Sequence, residues 1–307
     1  MEKTRIILQK SLKNEVVESM FHTDLMNIFK ELGVEYPKEC ESLSKHILLD
    51  LKNTTNLENF EERTHLMFQN YKVLGKDLLK VVFEKKDRYN EALFFEIKEL
   101  VNKLNLNLED KKVLDFGCGD GKITNMIASY LNESSVHGFD IINSMPEKTD
   151  NKAFFNINTQ GFLGKSISSG NFDCIFVVNV LSHCSDLDGI LERIKNLTNR
   201  IVIVETVPFW TKVKEIEINK ERTFLNDYFY NRIFSKQTNI PFFGNYKAPH
   251  GWDVLFAQKC FEVKSSLSKS FDFNNSLLSE EKRPLVKTKH YIGVYEKASD
   301  AITATCK

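Results

Sequence analysis

No stretch of eighteen apolar residues occurs in the 307-residue sequence, so no membrane span is expected. Net charge is missing too: 42 Lys and Arg balance 42 Asp and Glu. That balance removes the electrostatic case for nucleic acid or an anionic membrane as an obligatory partner. The opening MEKTRIILQKSLKNE lacks the apolar core of a signal peptide, and a cytoplasmic location is expected. The 6 cysteines, Cys40, Cys118, Cys174, Cys184, Cys260 and Cys306, show neither CxxC pairing nor histidines at zinc spacing. Reduced thiols and no metal site follow from that scatter. Internal repeats and low-complexity tracts are also missing.

What is present is concentrated in KVLDFGCGDGKIT, Lys112 to Thr124. Val113 and Leu114 read as a buried strand ending at Asp115. Gly117, Gly119 and Gly121 then let the backbone turn sharply and approach a ligand closely before a helix begins. The spacing is GxGxG rather than the GxGxxG of dinucleotide sites, with Asp120 beside the ligand position. A carboxylate there repels a diphosphate and suits a positively charged ligand. A second strand, SSVHGFDI, carries Asp140, a carboxylate able to accept two hydrogen bonds from a vicinal diol. NFDCIFVVNVLSH, Asn171 to His183, is apolar as a strand buried on both faces should be, with Asn179 and His183 at its end.

VLDFGCGDG, together with these two later segments, resembles the class I S-adenosylmethionine (SAM) dependent methyltransferases. The resemblance implies an α/β, Rossmann-like sheet of seven strands in the order 3-2-1-4-5-7-6, the last strand antiparallel. It also implies SAM as cofactor and S-adenosylhomocysteine (SAH) as product. Asp115, Gly117, Cys118, Gly119, Asp120 and Gly121 would hold the methionine end and Asp140 the ribose, with Ile141 beside the adenine and ribose. Asn158 would reach the adenine amino group, at a position often acidic in the family, and Asn179 would border the cofactor. RIVIVETV, from Arg200 to Val207, is the expected fifth strand, Cys260 to Leu267 the sixth and His290 to Glu296 the seventh.

Apolar spacing predicts helices from Asn14 to Leu32, stopped by Gly33 and Pro37, from Ser42 to Leu51, from Phe60 to Phe83 and from Tyr89 to Leu104. The expected organisation is a helical region over residues 1–85, serving as cap, docking module or dimer contact. A methyltransferase domain over 86–296 and a tail over 297–307 follow. A homodimer is compatible with this layout. The segment 206–250 is longer than a connection needs and reads as a lid. Within it Phe224, Leu225, Tyr228, Phe229 and Ile233 share one helical face. Arg222, Asn226, Tyr228, Asn231 and Arg232 are the expected acceptor contacts, braced by Trp252. The competing reading is a helix that simply packs on the domain.

Methyl transfer from SAM is an in-line displacement, so alignment matters most and a base is needed only for an acceptor that must lose a proton. His183 is the first candidate base, followed by His250 and Glu205, with Asp227 a distant fourth. The expected function is methylation of a small organic acceptor. The alternatives are an RNA or protein methyltransferase, or a non-catalytic SAM-binding subunit. NVLS stands where an Asn-Pro-Pro-Tyr-type tetrad would mark methylation of planar amines.

Overall fold

The computed structural model describes residues 1–86, 88–131, 135–140, 153–157, 172–208, 216–236, 240–271 and 288–298. The chain forms two compact units. Unit 1 comprises Met1–Ala92, Pro208–Gly244 and Ser270–Lys289, and unit 2 comprises Leu93–Val207, Asn245–Lys269 and His290–Lys307.

Unit 1 begins with helices α1 (Glu2–Ser11), α2 (Glu15–Glu31), α3 (Pro37–Asn53) and α4 (Leu57–Asn70). Local chemistry sets these boundaries. The Asn14 side chain accepts the Val16 amide at the start of α2, satisfying a donor that the first helical turn leaves without a partner. At the other end Gly33 adopts φ +92°, and the amides of Val34 and Gly33 return to the carbonyls of Phe29 and Lys30. That pair of bonds is the Schellman termination, which requires the left-handed backbone that glycine tolerates. Pro37 ends nothing further; it opens α3, where its missing N–H is harmless. The continuous helix expected from Phe60 to Phe83 is interrupted. Leu74 (φ 51°) and Gly75 (φ 78°) turn a two-residue-per-strand hairpin, Lys72–Val73 with Lys76–Asp77, before α5 (Leu78–Lys86).

Within the segment expected to be a lid, residues 216–234 pack inside unit 1 as α9 (Ile216–Tyr228), continued by a π-helical turn, Phe229–Phe234. Phe229 meets Phe21 and Phe60 edge to face at 5.1 and 6.2 Å, and Phe234 stacks on Phe68 at 6.5 Å. Its charged groups are equally engaged. Arg222 donates from Nε and Nη2 to the two oxygens of Asp24 at 2.7 and 2.5 Å, and Asn226 adds a bond to Asp24 at 2.8 Å. Arg232 donates from Nε and Nη2 to Glu61 at 2.8 and 2.9 Å, and the Tyr228 hydroxyl donates to the same carboxylate at 2.7 Å. Asn231 bonds Asp227 one turn back. Arg222, Asn226, Tyr228 and Arg232, expected to contact an acceptor, therefore bond the acids of α2 and α4, and Asn231, expected there too, bonds Asp227. A guanidinium fork needs two carboxylate oxygens when water is removed, and Asp24 and Glu61 supply them.

Unit 2 is built on one sheet. Its strands are β1 (Lys112–Phe116), β2 (Ser135–Asp140), β3 (Ala153–Ile157), β4 (Cys174–Val178), β5 (Arg200–Val207), β6 (Phe261–Phe271) and β7 (Thr288–Lys297). Their order is β3-β2-β1-β4-β5-β7-β6. The first five run parallel, with Val113 opposite both Val136 and Cys174. β7 runs the other way. His290, near its start, lies 3.3 Å from Thr206 near the end of β5, while the Lys297 amide at its far end bonds Asn199 just before β5. Ala298 likewise bonds Cys260, just ahead of β6.

Helices α6 (Arg88–Lys103), α7 (Lys122–Tyr130), α8 (Leu187–Lys195) and α10 (Pro249–Gln258) accompany the sheet. The core joins Leu114, Ile175, Val177, Ile201 and Ile203 with Leu191 and Ile194 of α8 and Trp252 and Phe256 of α10. Trp252 is thus a core residue of unit 2, wholly buried, and not the expected brace of a lid. No helix among the described residues is long and apolar enough to cross a membrane.

The ion pair at Glu61 gives a stability test. Glu61→Leu should destabilise unit 1 by about 3–5 kcal/mol, because Arg232, only 3% exposed, is left charged and unpaired. Replacing Glu61 and Arg232 together by apolar residues should recover much of that loss, as read by urea unfolding.

Candidate active site

The site of unit 2 lies where β1, β2, β4 and β5 end. β1 delivers the chain into Gly117, Gly119 and Gly121, all left-handed at φ 78°, 56° and 76°. The three glycines are needed for different reasons. A Cβ on Gly117 would come within 2.3 Å of the Val180 side chain, so this glycine allows the loop to press against the segment after β4. A Cβ on Gly119 would meet none of the described residues within 4 Å; there the backbone angle is the constraint. Gly121 caps α7. The Gly117 and Cys118 amides both bond the Phe139 carbonyl, tying the loop to β2.

Three carboxylates surround this loop. Asp140 accepts the Gly119 amide at 2.7 Å and is 7% exposed. Asp115, 1% exposed, accepts the Thr124 hydroxyl at 2.6 Å. Burial pushes the Asp115 carboxyl up to about 7, with the nearby Asp140 charge acting in the same direction and the Thr124 bond against it. Asp120 accepts the Lys122 amide at 3.2 Å, and its partly exposed side chain lies 4.0 Å from the Lys122 ammonium. The Cys118 thiol is pushed well up by burial and by the adjacent acids, so it stays protonated and packs as a small apolar group.

The segment after β4 forms the facing wall. Asn179 turns it with φ 53°; its amide bonds the Val204 carbonyl at 2.6 Å, and its Oδ1 accepts from the amide and hydroxyl of Thr206 at 3.1 Å each. Leu181–His183 is a single 3-10 turn. Glu205 lies behind it, fully buried, accepting the Val180 and Leu181 amides on Oε1 at 2.9 and 2.7 Å and the Ser182 amide on Oε2 at 3.3 Å. Burial raises the Glu205 carboxyl to about 7 even though those amides oppose the shift. From the far side Asn245 donates to the carbonyls of Ser182 and Cys184.

The expected site residues accordingly separate. Asp115, Gly117, Cys118, Gly119, Asp120, Gly121 and Asp140 share one hydrogen-bonded loop cluster, and Val180 brings the turn carrying His183 against it. His183 is 9% exposed. Glu205 does not reach an acceptor as a candidate base would, because both its oxygens are turned onto backbone amides. His250 is exposed in the first turn of α10. Ile141 and Asn158 lie outside the described residues. Thr124, Thr206 and Asn245 escaped the sequence reading. A threonine three residues after the last glycine was the one local signal for the first; the other two act only through folded proximity.

Residues 114–200 match the family model described as a methyltransferase domain. That part of the chain, under a third of its length, is similar to methyltransferase domains. The comparison with curated proteins finds no match for the chain. Similar solved structures include the magnesium protoporphyrin IX methyltransferase of Synechocystis PCC 6803 with bound SAH, at 14% identity and TM-score 0.45, covering 83% of this chain and all (100%) of that one. A methyltransferase-like protein of Bacillus halodurans shows 11% identity and TM-score 0.44, covering 65% of this chain and 99% of the other. Among the described residues no group of three or more His, Cys, Asp or Glu is arranged to hold a metal ion.

The two buried acids of unit 2 predict the pH dependence of its stability. A carboxyl whose folded pKa lies above its unfolded value keeps its proton longer in the folded state, so its contribution to stability falls as pH rises between the two values. For Asp115 and Glu205 that window runs from about 4 to about 7, with a slope of about 1.4 kcal/mol per pH unit and group. Asp115→Asn should flatten the decline in a thermal-unfolding series from pH 5 to pH 8, relative to the parent protein.

Proposed function

We propose that this domain transfers the methyl group of SAM to a small organic acceptor, with the methionine end of the cofactor over Asp115–Gly121 and the ribose on Asp140. The observation that carries the reading is the glycine loop at Gly119 bordered by Asp140. A Cβ at Gly119 would meet none of the described residues within 4 Å, and the Asp140 carboxylate is oriented there by the Gly119 amide. The acidic set Asp115, Asp120 and Asp140 fits a ligand that carries a sulfonium, an ammonium and a ribose diol and no phosphate.

SAM supplies an electrophilic methyl on sulfur and leaves as a neutral thioether. The chain then has to align the acceptor, exclude water and take up any proton. His183 is the residue proposed for the proton, in the turn that faces the glycine loop across Val180. Its Leu181 and Ser182 neighbours are buried, which keeps that turn dry. A zero formal net charge supports a small acceptor over RNA. Methyl transfer to RNA or protein, or binding without transfer, are the other outcomes of an acceptor screen.

Asp140→Ala should weaken SAM binding about tenfold or more in calorimetry, at about 1.5–3 kcal/mol for hydrogen bonds to a charged group. Unchanged affinity would overturn the placement. His183→Ala should leave SAM affinity intact and lower transfer of labelled methyl by about 10²- to 10⁴-fold where the acceptor must lose a proton. Full activity would leave alignment alone as the catalytic device.

A further inference from the structure

We infer that Glu205 is a positioning residue for methyl transfer, its carboxylate setting the turn that carries His183 by accepting the backbone amides of Val180, Leu181 and Ser182. The inference rests on the placement of His183 proposed above.

The chain leaves the sheet after Asn179, whose amide still bonds the Val204 carbonyl, so the amides from Val180 onward lose their ladder partners. The 3-10 turn that follows cannot satisfy its own first amides either. Buried donors of this kind need an acceptor. Glu205 provides it from the adjoining strand, with bonds of 2.9 and 2.7 Å to one oxygen and 3.3 Å to the other. The next residue, Thr206, holds Asn179 through both its amide and its hydroxyl, so consecutive residues of β5 grip consecutive parts of the turn. Asn245 closes it from the other end by donating to the Ser182 and Cys184 carbonyls.

Val180 meanwhile lies where a Cβ on Gly117 would come within 2.3 Å. Any shift of the Val180 backbone therefore alters the spacing between the His183 turn and the glycine loop. A simpler way of filling this interior, a Leu or Val at position 205, would leave three amides without an acceptor. The carboxylate is explained by the turn it holds, and its full burial removes it from the reacting groups themselves.

The test uses the full chain with SAH as probe, comparing the parent protein with Glu205→Gln and Glu205→Ala. Three quantities are read: SAH affinity by calorimetry, amide exchange at Val180–Ser182, and the NMR response of the His183 ring to SAH. In Glu205→Ala the three amides should exchange at least about tenfold faster. SAH affinity should change by less than about threefold, while the ring response is lost or displaced. Glu205→Gln keeps a carbonyl oxygen for Val180 and Leu181 and should restore most of the response, marking an acceptor role and not a charge role. If Glu205→Ala does not fold, Glu205→Asp, which withdraws the carboxylate by one methylene, should show the same displaced response.

A folded Glu205→Ala or Glu205→Asp protein with parental exchange and a parental His183 response overturns the inference and leaves the His183 placement standing. A parent protein that binds SAH with no change at the His183 ring overturns that placement, and the inference with it.

Discussion

A carboxylate that accepts backbone amides where strands run out is the interaction on which the candidate site of unit 2 depends. Parallel strands leave their last amides without ladder partners, and the loops beyond them need an acceptor wherever they are buried. Unit 2 meets this need twice. Asp140 takes the Gly119 amide, and Glu205 takes those of Val180, Leu181 and Ser182. One acid shapes the glycine loop and the other the turn opposite, and the contact between Gly117 and Val180 joins the two surfaces. The acids serve different ends. Asp140 borders the glycine loop, whereas Glu205 is sealed behind the turn it holds.

A related requirement, that a buried charge have a partner, explains the ion pairs of unit 1. Four helices from the start of the chain and one from far downstream enclose Asp24 and Glu61, and a helical core accommodates charge there only because Arg222 and Arg232 present forked donors. Replacement by apolar groups of similar size would stabilise such a core as well or better. The pairing instead fixes which face of α9 meets α2 and α4, a register for which aromatic packing alone is permissive. The π-helical turn at Phe229–Phe234 fits this demand, since an altered backbone pitch changes which side chains face Glu61.

The glycine loop was legible in the sequence because its constraints are local. Left-handed angles at Gly117, Gly119 and Gly121 can be inferred from residue type, and an acid-terminated strand can be read from a dozen letters. The helical stop at Gly33 was legible for the same reason. The hairpin at Leu74–Gly75 was not, because its apolar flanks keep helical spacing and the turn residue is a leucine. Asp24 and Glu61 each stood as an acid within an apolar stripe, a signal of burial that pointed to a partner without naming it.

Sequence alone determined the α/β class of the sheet domain and the position of its glycine loop, because each is written in residues adjacent along the chain. Tertiary structure decided what the downstream polar residues do. Arg222, Asn226, Tyr228 and Arg232 resemble a substrate-reading face when taken as one helix, yet their partners lie 167 to 202 positions away. Glu205 looks like a catalytic acid at a strand end until three amides are found on it. A side chain's type fixes which bonds it can make; only the fold decides which partners are close enough, and dry enough, to take them.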